Sequence, residues 1–229
     1  MVLRILRVST TLRRRLGRAV PLARHAGWPA LVATCAAVSA CSSNHPAQPD
    51  AFIQATVGFG TESGPQVCNF GSVQQWLDIG TPVGGKPTTV QDGQSQAGST
   101  VNVSCTVSTS GDGFDISLAA TQQGLTGGSV IITSPAGQGA VTQSGGSNIS
   151  ASFESESYGT YREDDCTISY LYQGETVPDM PPVAAGRIWG HISCPTAQVS
   201  GKTVTLPDGG TQNVQCDAEA DFLFEQCGL

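Results

Sequence analysis

Six cysteines in the C-terminal three quarters of the chain have the most clearly defined chemistry. No two of them form a C-x-x-C motif, and the only histidine near them in sequence is His191, so neither a zinc site nor a redox pair is expected. An even number of cysteines is typical of a disulfide framework in an exported chain, and six of them allow fifteen connectivities. We therefore predict three structural disulfides among Cys68, Cys105, Cys166, Cys194, Cys216 and Cys227.

Export is indicated by the first forty residues. Seven arginines and no acidic residue precede residue 25, and residues 26–40 carry no charge. These segments have the character of the n-region and h-region of a signal peptide. The apolar part is about 14 residues long, and a membrane-spanning helix needs roughly 20, so a permanent transmembrane helix is not expected.

Cys41 ends this leader in the sequence Val38-Ser39-Ala40-Cys41. The motif resembles the lipobox of bacterial lipoproteins. The resemblance implies cleavage before Cys41, diacylglycerol on its thiol and further acylation by a chain such as palmitate. The alternatives are a plain signal peptide that leaves Cys41 as a free thiol, or use of Cys35, which fits the pattern less well. Ser42 stands where an inner-membrane retention signal has Asp, which favours the outer membrane or the cell surface.

The charge of the chain changes sharply once residues 1–40 are removed. Seven of the eleven basic residues lie in the leader, which leaves four against eighteen acids, a formal charge of −14. Four scattered cations cannot form a basic surface, so nucleic acid is not an expected partner. Residues 41–52 are expected to be the lipidated cysteine and a flexible tether, and residues 53–229 a single domain.

The pattern of apolar residues predicts an all-β fold. Val101, Val103, Cys105 and Val107 alternate with polar residues, and the same alternation follows from Phe114 to Ala120. Pairing Val107 with Phe114 puts both apolar sets on one face of a hairpin. Similar short segments separated by Gly-rich turns indicate an antiparallel β-sandwich or open barrel. They are residues 129–133, 140–143, 149–153, 165–172, 186–193, 202–206 and 221–227, and short helical turns are considered at 73–77 and 217–224.

A second hairpin has a more specific register. If residues 165–172 pair with 188–195 so that paired residue numbers add to 360, Cys166 faces Cys194, Ile168 faces Ile192 and Tyr170 faces Gly190. Opposed positions of this kind bring cysteines within disulfide distance, so we predict a Cys166–Cys194 bridge. The opposite face then carries Thr167, Ser169, Leu171, Trp189, His191 and Ser193.

The other two bridges stay open at this stage. Cys105 could pair with Cys68, which leaves Cys216 for Cys227. A helix across residues 217–226 would hold these last two about 16 Å apart and forbid their bond.

The face that contains Trp189 and His191, joined by Tyr158 and Tyr161, is the candidate ligand surface, because aromatic rings and an imidazole can stack on and hydrogen-bond to a sugar or a peptide. The alternative is that Trp189 packs under a loop. Acidic residues at 163–165 and at Asp217, Glu219 and Asp221 lack the spacing of a calcium loop, so we interpret them as surface charge and predict no metal and no cofactor.

Catalytic motifs such as G-x-S-x-G and H-E-x-x-H do not occur in the chain. The sequence therefore favours a lipid-anchored envelope or surface protein that acts as a non-enzymatic binding or structural component, with an envelope protein or carbohydrate as partner. The alternative is an anchored hydrolase that acts on envelope or extracellular polymer, in which His191 would be the base.

Overall fold

A computed structural model describes residues 47–60, 64, 67–84, 86–124, 127–172, 174–176 and 181–229. The predicted signal peptide and the predicted lipidation site at Cys41 lie outside this range. Within it, no helix is long and apolar enough to cross a membrane. The described residues form thirteen strands: β1 (Asp50–Gly58), β2 (Gln74–Ile79), β3 (Val90–Gln91), β4 (Ser95–Gln96), β5 (Ser99–Ser110), β6 (Gly113–Gln122), β7 (Gly128–Thr133), β8 (Val141–Thr142), β9 (Gly145–Ser155), β10 (Gly159–Ser169), β11 (Val183–Ala184), β12 (Arg187–Thr205) and β13 (Thr211–Glu225).

The strands belong to one antiparallel sheet with the order β2-β1-β13-β12-β10-β9-β7-β6-β5-β4. Three short strands flank it: β3 pairs with β1, β8 with β6 and β9, and β11 with β12. The all-β, antiparallel, disulfide-braced fold is therefore confirmed.

The sheet folds back on itself around one hydrophobic core. A Cβ added to Gly128 in β7 would lie 2.4 Å from the backbone oxygen of Trp76 in β2, so these two strands touch across the core. At the other end, Gly228 donates a hydrogen bond to the oxygen of Cys105 and accepts one from the nitrogen of Val107, which ties the C-terminus to β5. The core consists of the inward-facing residues of both halves.

The register predicted for residues 165–172 and 188–195 is confirmed, because Thr167 pairs with Ser193 and Ile168 with Ile192. A disulfide joins Cys166 and Cys194, whose Cα atoms are 4.6 Å apart. The segments predicted at 186–193 and 202–206 are parts of one long strand, β12.

The register of the first hairpin was wrong by two residues, since Val107 pairs with Ile116 and not with Phe114. The turn sets the true register. Ser110 pairs with Gly113, so only two residues form the loop, and Gly111 adopts the positive φ of 57° that such tight turns favour in glycine. Because the error is even, each side chain still faces the side that the alternation predicted.

Residues 74–77 and 217–224, where helical turns were considered, lie in strands β2 and β13. The alternation of buried and more exposed residues in β13 continues to Phe222. An extended β13 separates Cys216 from Cys227 by roughly 35 Å along the strand, which rules out a bridge between them. The pairing of Cys105 with Cys68 was therefore wrong. Cys68 bonds to Cys216, and Cys105 bonds to Cys227.

The segment predicted to be a tether, residues 41–52, overlaps the first strand. Asp50 begins β1 and pairs with Glu225, and the next two residues, Ala51 and Phe52, are completely buried. Both faces of this strand are covered at Phe52, because Phe52 belongs to a second hydrophobic cluster on the face opposite the main core. Apolar residues therefore do not alternate with polar ones, and the strand was not predicted.

Candidate functional site

A polar surface lies on the outer face of the four adjacent strands β1, β13, β12 and β10. Cross-strand pairing aligns Gln54, Asp221, His191 and Ser169 in one row. Paired residues share a face of a sheet, so these four side chains all lie on the outer side. The next row contains Thr56, Glu219, Ser193 and Thr167.

His191 is held in place by Asp221. Its Nδ1 atom lies 2.9 Å from Oδ1 of Asp221, and both side chains remain partly exposed. The hydrogen bond that Asp221 accepts raises the pKa of His191 above its ordinary value of 6.5, and the charges of Asp221 and Glu219 add to this effect. Burial acts in the opposite direction. The pair therefore favours the protonated imidazolium.

Two shallow depressions follow this surface along β1 and β13. The first, of about 190 Å³, is lined by Gln54, Gln75 and His191 together with Glu219 and Asp221. The second, of about 110 Å³, lies next to it and contains Asp217 and Val73. Because alternate residues of a strand lie on the same side, Asp217, Glu219 and Asp221 share one face of β13.

Trp189 is not available to a ligand, and its assignment to a binding face was wrong. The side chain is 4% exposed and packs with Phe52, Tyr172 and Leu223 in the second hydrophobic cluster. Its Nε1 atom donates a hydrogen bond to the oxygen of Pro181 at 3.2 Å. The alternative interpretation, in which this tryptophan packs under a loop, is confirmed. The outward direction of its strand face was correct, but the segment that contains Tyr170 and Tyr172 covers it.

Tyr158 and Tyr161 lie in a different part of the molecule. Tyr161 pairs with Val199 in β12, which is eight residues and roughly 26 Å along the strand from His191. Tyr161 is fully buried in the main core, whereas Tyr158 in the β9–β10 turn is 39% exposed. The four residues of the predicted ligand face are therefore not brought together.

The two tyrosines instead form an aromatic cluster with Phe70 and Trp76. Trp76 lies 5.4 Å from Tyr158 and 5.6 Å from Tyr161 between ring centroids, and Phe70 lies 5.3 Å from Tyr158. Offset and edge-on ring contacts of this kind stabilise one another beyond simple burial. Tyr161 Oη donates to Oδ1 of Asn69 at 2.6 Å, and burial raises the pKa of this phenol.

Phe70 and Trp76 were not predicted to be site residues. Trp76 and Leu77 are neighbours and both are buried, because the pairing of β1 with β2 shifts between Ala55 and Thr56. Such a shift breaks the alternation on which a strand assignment depends. The cysteine at position 68, two residues before Phe70, was the one signal that this loop is fixed to the sheet.

One group of potential metal ligands occurs among the described residues at Glu163, Cys166 and Cys194. The two cysteines are bonded to each other, and Glu163 accepts hydrogen bonds from the backbone nitrogen and the hydroxyl of Thr196. These atoms are therefore used by structural bonds, and Glu163 joins β10 to β12 where their pairing is interrupted. Asp164 and Asp165 are exposed.

A hydrolytic site at His191 would need a nucleophile within reach. Ser169 lies directly opposite His191 across β10 and β12. In the described part of the chain no hydrogen bond joins these two side chains, and the hydrogen bond of the imidazole is made to Asp221.

Comparison of the chain with protein-family models, with curated proteins and with solved structures finds no match.

Proposed function

We propose that this protein is an exported, lipid-anchored component of the cell envelope that binds a partner or supports a structure and does not catalyse a reaction. The observation that carries the proposal is the set of three disulfides, which join segments up to 148 residues apart. Bridges of this kind form and persist in oxidising compartments outside the cytoplasm. They support the interpretation of residues 1–40 as an export signal.

The anchor and the domain are joined by a short segment. Cys41 precedes the first residue of β1, Asp50, by nine positions, a span of at most about 30 Å. Two or three acyl chains hold a protein stably at a membrane, so the domain itself need not touch lipid. We place the anchor in the outer membrane or at the cell surface, since Ser42 is not an aspartate.

The surfaces described above suit binding better than catalysis. His191 and Asp221 lie in a shallow, polar depression on the outer face of the sheet, and the aromatic cluster is partly exposed at one end of the sheet. Hydrolases usually place the reacting group in a deep site that excludes water.

The anchor is tested by metabolic labelling with an alkyne fatty acid, followed by separation of membrane and soluble fractions. We expect the wild-type protein to be labelled and membrane-bound, and Cys41→Ser to be unlabelled and soluble. Cys35→Ser is the matched control, since it removes the neighbouring cysteine of the leader and should change neither result. Equal labelling of wild type and Cys41→Ser would refute the anchor.

The alternative, an anchored hydrolase of envelope or extracellular polymer, is favoured by one observation. Ser169, His191 and Asp221 follow one another across three adjacent strands in the order of a serine hydrolase triad, with the carboxylate at Nδ1 of the imidazole. A fluorophosphonate probe that labels the wild type but not Ser169→Ala would establish this alternative. We expect no labelling of either protein.

A further inference from the structure

The aromatic cluster of Phe70, Trp76, Tyr158 and Tyr161 lies at the end of the sheet that is far from Asp50, the first residue of β1. β1 runs from Asp50 to Gly58, and Gly58 pairs with Asp217 near Cys216. The Cys68–Cys216 bridge fixes the loop that contains Phe70 at this same end. In a protein anchored through Cys41, the cluster is therefore about 25 Å farther along the sheet than the point where the tether joins.

Part of the cluster is exposed, and buried rings support the exposed part. Tyr158 is 39% exposed and rests on Trp76 with a tilt of 32° between the rings. Phe70, which is partly buried, meets Tyr158 edge-on at 84°. Because the buried rings of Trp76 and Tyr161 hold the two outer rings from below, a ligand that stacks on Tyr158 would lose little side-chain entropy in binding.

Two amide side chains close to the cluster in sequence are fixed in direction by hydrogen bonds. Asn69 is exposed, and the bond that its Oδ1 accepts from Tyr161 fixes the direction of its amide. Gln74, two residues before Trp76 in β2, donates through Nε2 to the backbone oxygen and the hydroxyl of Ser72, both at 2.9 Å. An aromatic surface bordered by fixed amides offers stacking together with hydrogen-bond donors and acceptors.

Charge and size restrict the ligand. Glu154 and Glu156 are exposed in the same β9–β10 turn region, and the nearby Lys202 donates to the backbone oxygen of Tyr158. The domain has four basic and eighteen acidic side chains, so its net negative charge repels an anionic ligand. The exposed part of Tyr158 is about 80 Å², whereas each side of a stable protein interface buries roughly 800 Å². The exposed ring therefore suits a small ligand better than a protein partner.

We propose that this cluster is a binding site for a neutral glycan, with a sugar ring stacked on Tyr158 and its hydroxyls bonded by Asn69 and Gln74. The inference rests on the proposed binding function and names its ligand class. A sugar ring has an apolar face and a polar edge, which match the exposed ring and the amides beside it. A neutral sugar also avoids the repulsion that the acidic domain would impose on an acidic polymer.

The test is an NMR titration of the purified full chain in mild detergent with three neutral hexasaccharides: cellohexaose, maltohexaose and N-acetylchitohexaose. Oligogalacturonate serves as the anionic comparison. We expect saturable binding of at least one neutral sugar at about millimolar concentration. Tyr158→Ala should weaken it about tenfold and Tyr158→Phe less than about twofold. Leu171→Ala is the matched control, because Leu171 is an equally exposed apolar residue, at 38%, outside the cluster.

Three results would overturn the inference: no binding of any of the three neutral sugars, equal binding by Tyr158→Ala and wild type, or preference for the anionic oligomer. Membrane anchoring is measured by fatty-acid labelling without any sugar, and partner binding by capture from envelope extracts. A negative titration with intact anchoring and a captured protein partner would therefore contradict the glycan site alone.

Discussion

Removal of the Cys166–Cys194 bridge is the perturbation whose cost can be worked out most directly. The bridge joins β10 to β12, both cysteines are completely buried, and it closes a loop with a sequence separation of 28. The other two bridges join residues outside this loop, so they do not shorten it. Replacing both cysteines by alanine leaves the strands paired but frees the loop in the unfolded chain.

The expected loss follows from the entropy of that loop. Closing a loop of this length restricts the unfolded state by about 3.5 kcal/mol at 25 °C. A domain of this size melts roughly 2–4 °C lower for each kcal/mol lost, so the double variant should melt roughly 7–14 °C below the wild type.

Urea denaturation under non-reducing conditions measures both the free energy of unfolding and the m value. Since the effect lies in the unfolded state, the m value should rise as the freed chain exposes more surface. Ile192→Val is the control, because it alters packing beside the bridge, costs about 0.5–1.5 kcal/mol and leaves the m value unchanged. A loss below about 1 kcal/mol with an unchanged m value would refute the reasoning.

Three further variants test the described contacts. His191→Gln should destabilise the domain most below pH 6.5, and its difference from wild type should shrink as pH rises. The reason is that Asp221 raises the pKa of His191 in the folded state, so the stabilisation by the charged imidazole is lost as pH rises through that pKa. Thermal melts at a series of pH values measure this difference. Gly128→Ala should cost about 1–3 kcal/mol in urea unfolding, since the new Cβ would lie 2.4 Å from the oxygen of Trp76. Trp189→Ala should cost about 3–5 kcal/mol in the same assay, and a loss under 1 kcal/mol would mean that this residue is not buried.

Local pattern predicted most of the strands from β5 onward, and it predicted the register of β10 with β12 at residues 167–169. Cys166, Ile168 and Ile192 fixed the β10–β12 pairing, because a slip of one residue would have turned an apolar set outward. The first hairpin shows the limit of this reasoning. A slip of two residues keeps every face, so alternation could not distinguish Phe114 from Ile116 as the partner of Val107, and only the two-residue turn at Gly111 decides it.

Contacts between segments distant in the chain were not predictable in the same way. The partner of Cys105 is Cys227 because the folded sheet brings the C-terminus against β5, and no local pattern contains that contact. The candidate site has the same origin. Phe70 reaches Tyr158 from the loop that the Cys68–Cys216 bridge joins to β13, and Trp76 reaches it from β2. Trp189 points outward as predicted and is covered by a segment from elsewhere in the sequence.

The central claim is that the chain is exported, cut before Cys41, lipidated there and oxidised at its six later cysteines. Intact-mass spectrometry of the protein extracted from membranes and alkylated without reduction tests all of these at once. We expect a chain that begins at Cys41, bears a diacylglyceryl group and contains no alkylated thiol among the six later cysteines. A chain that retains residues 1–40, or one with six alkylated thiols, would contradict it.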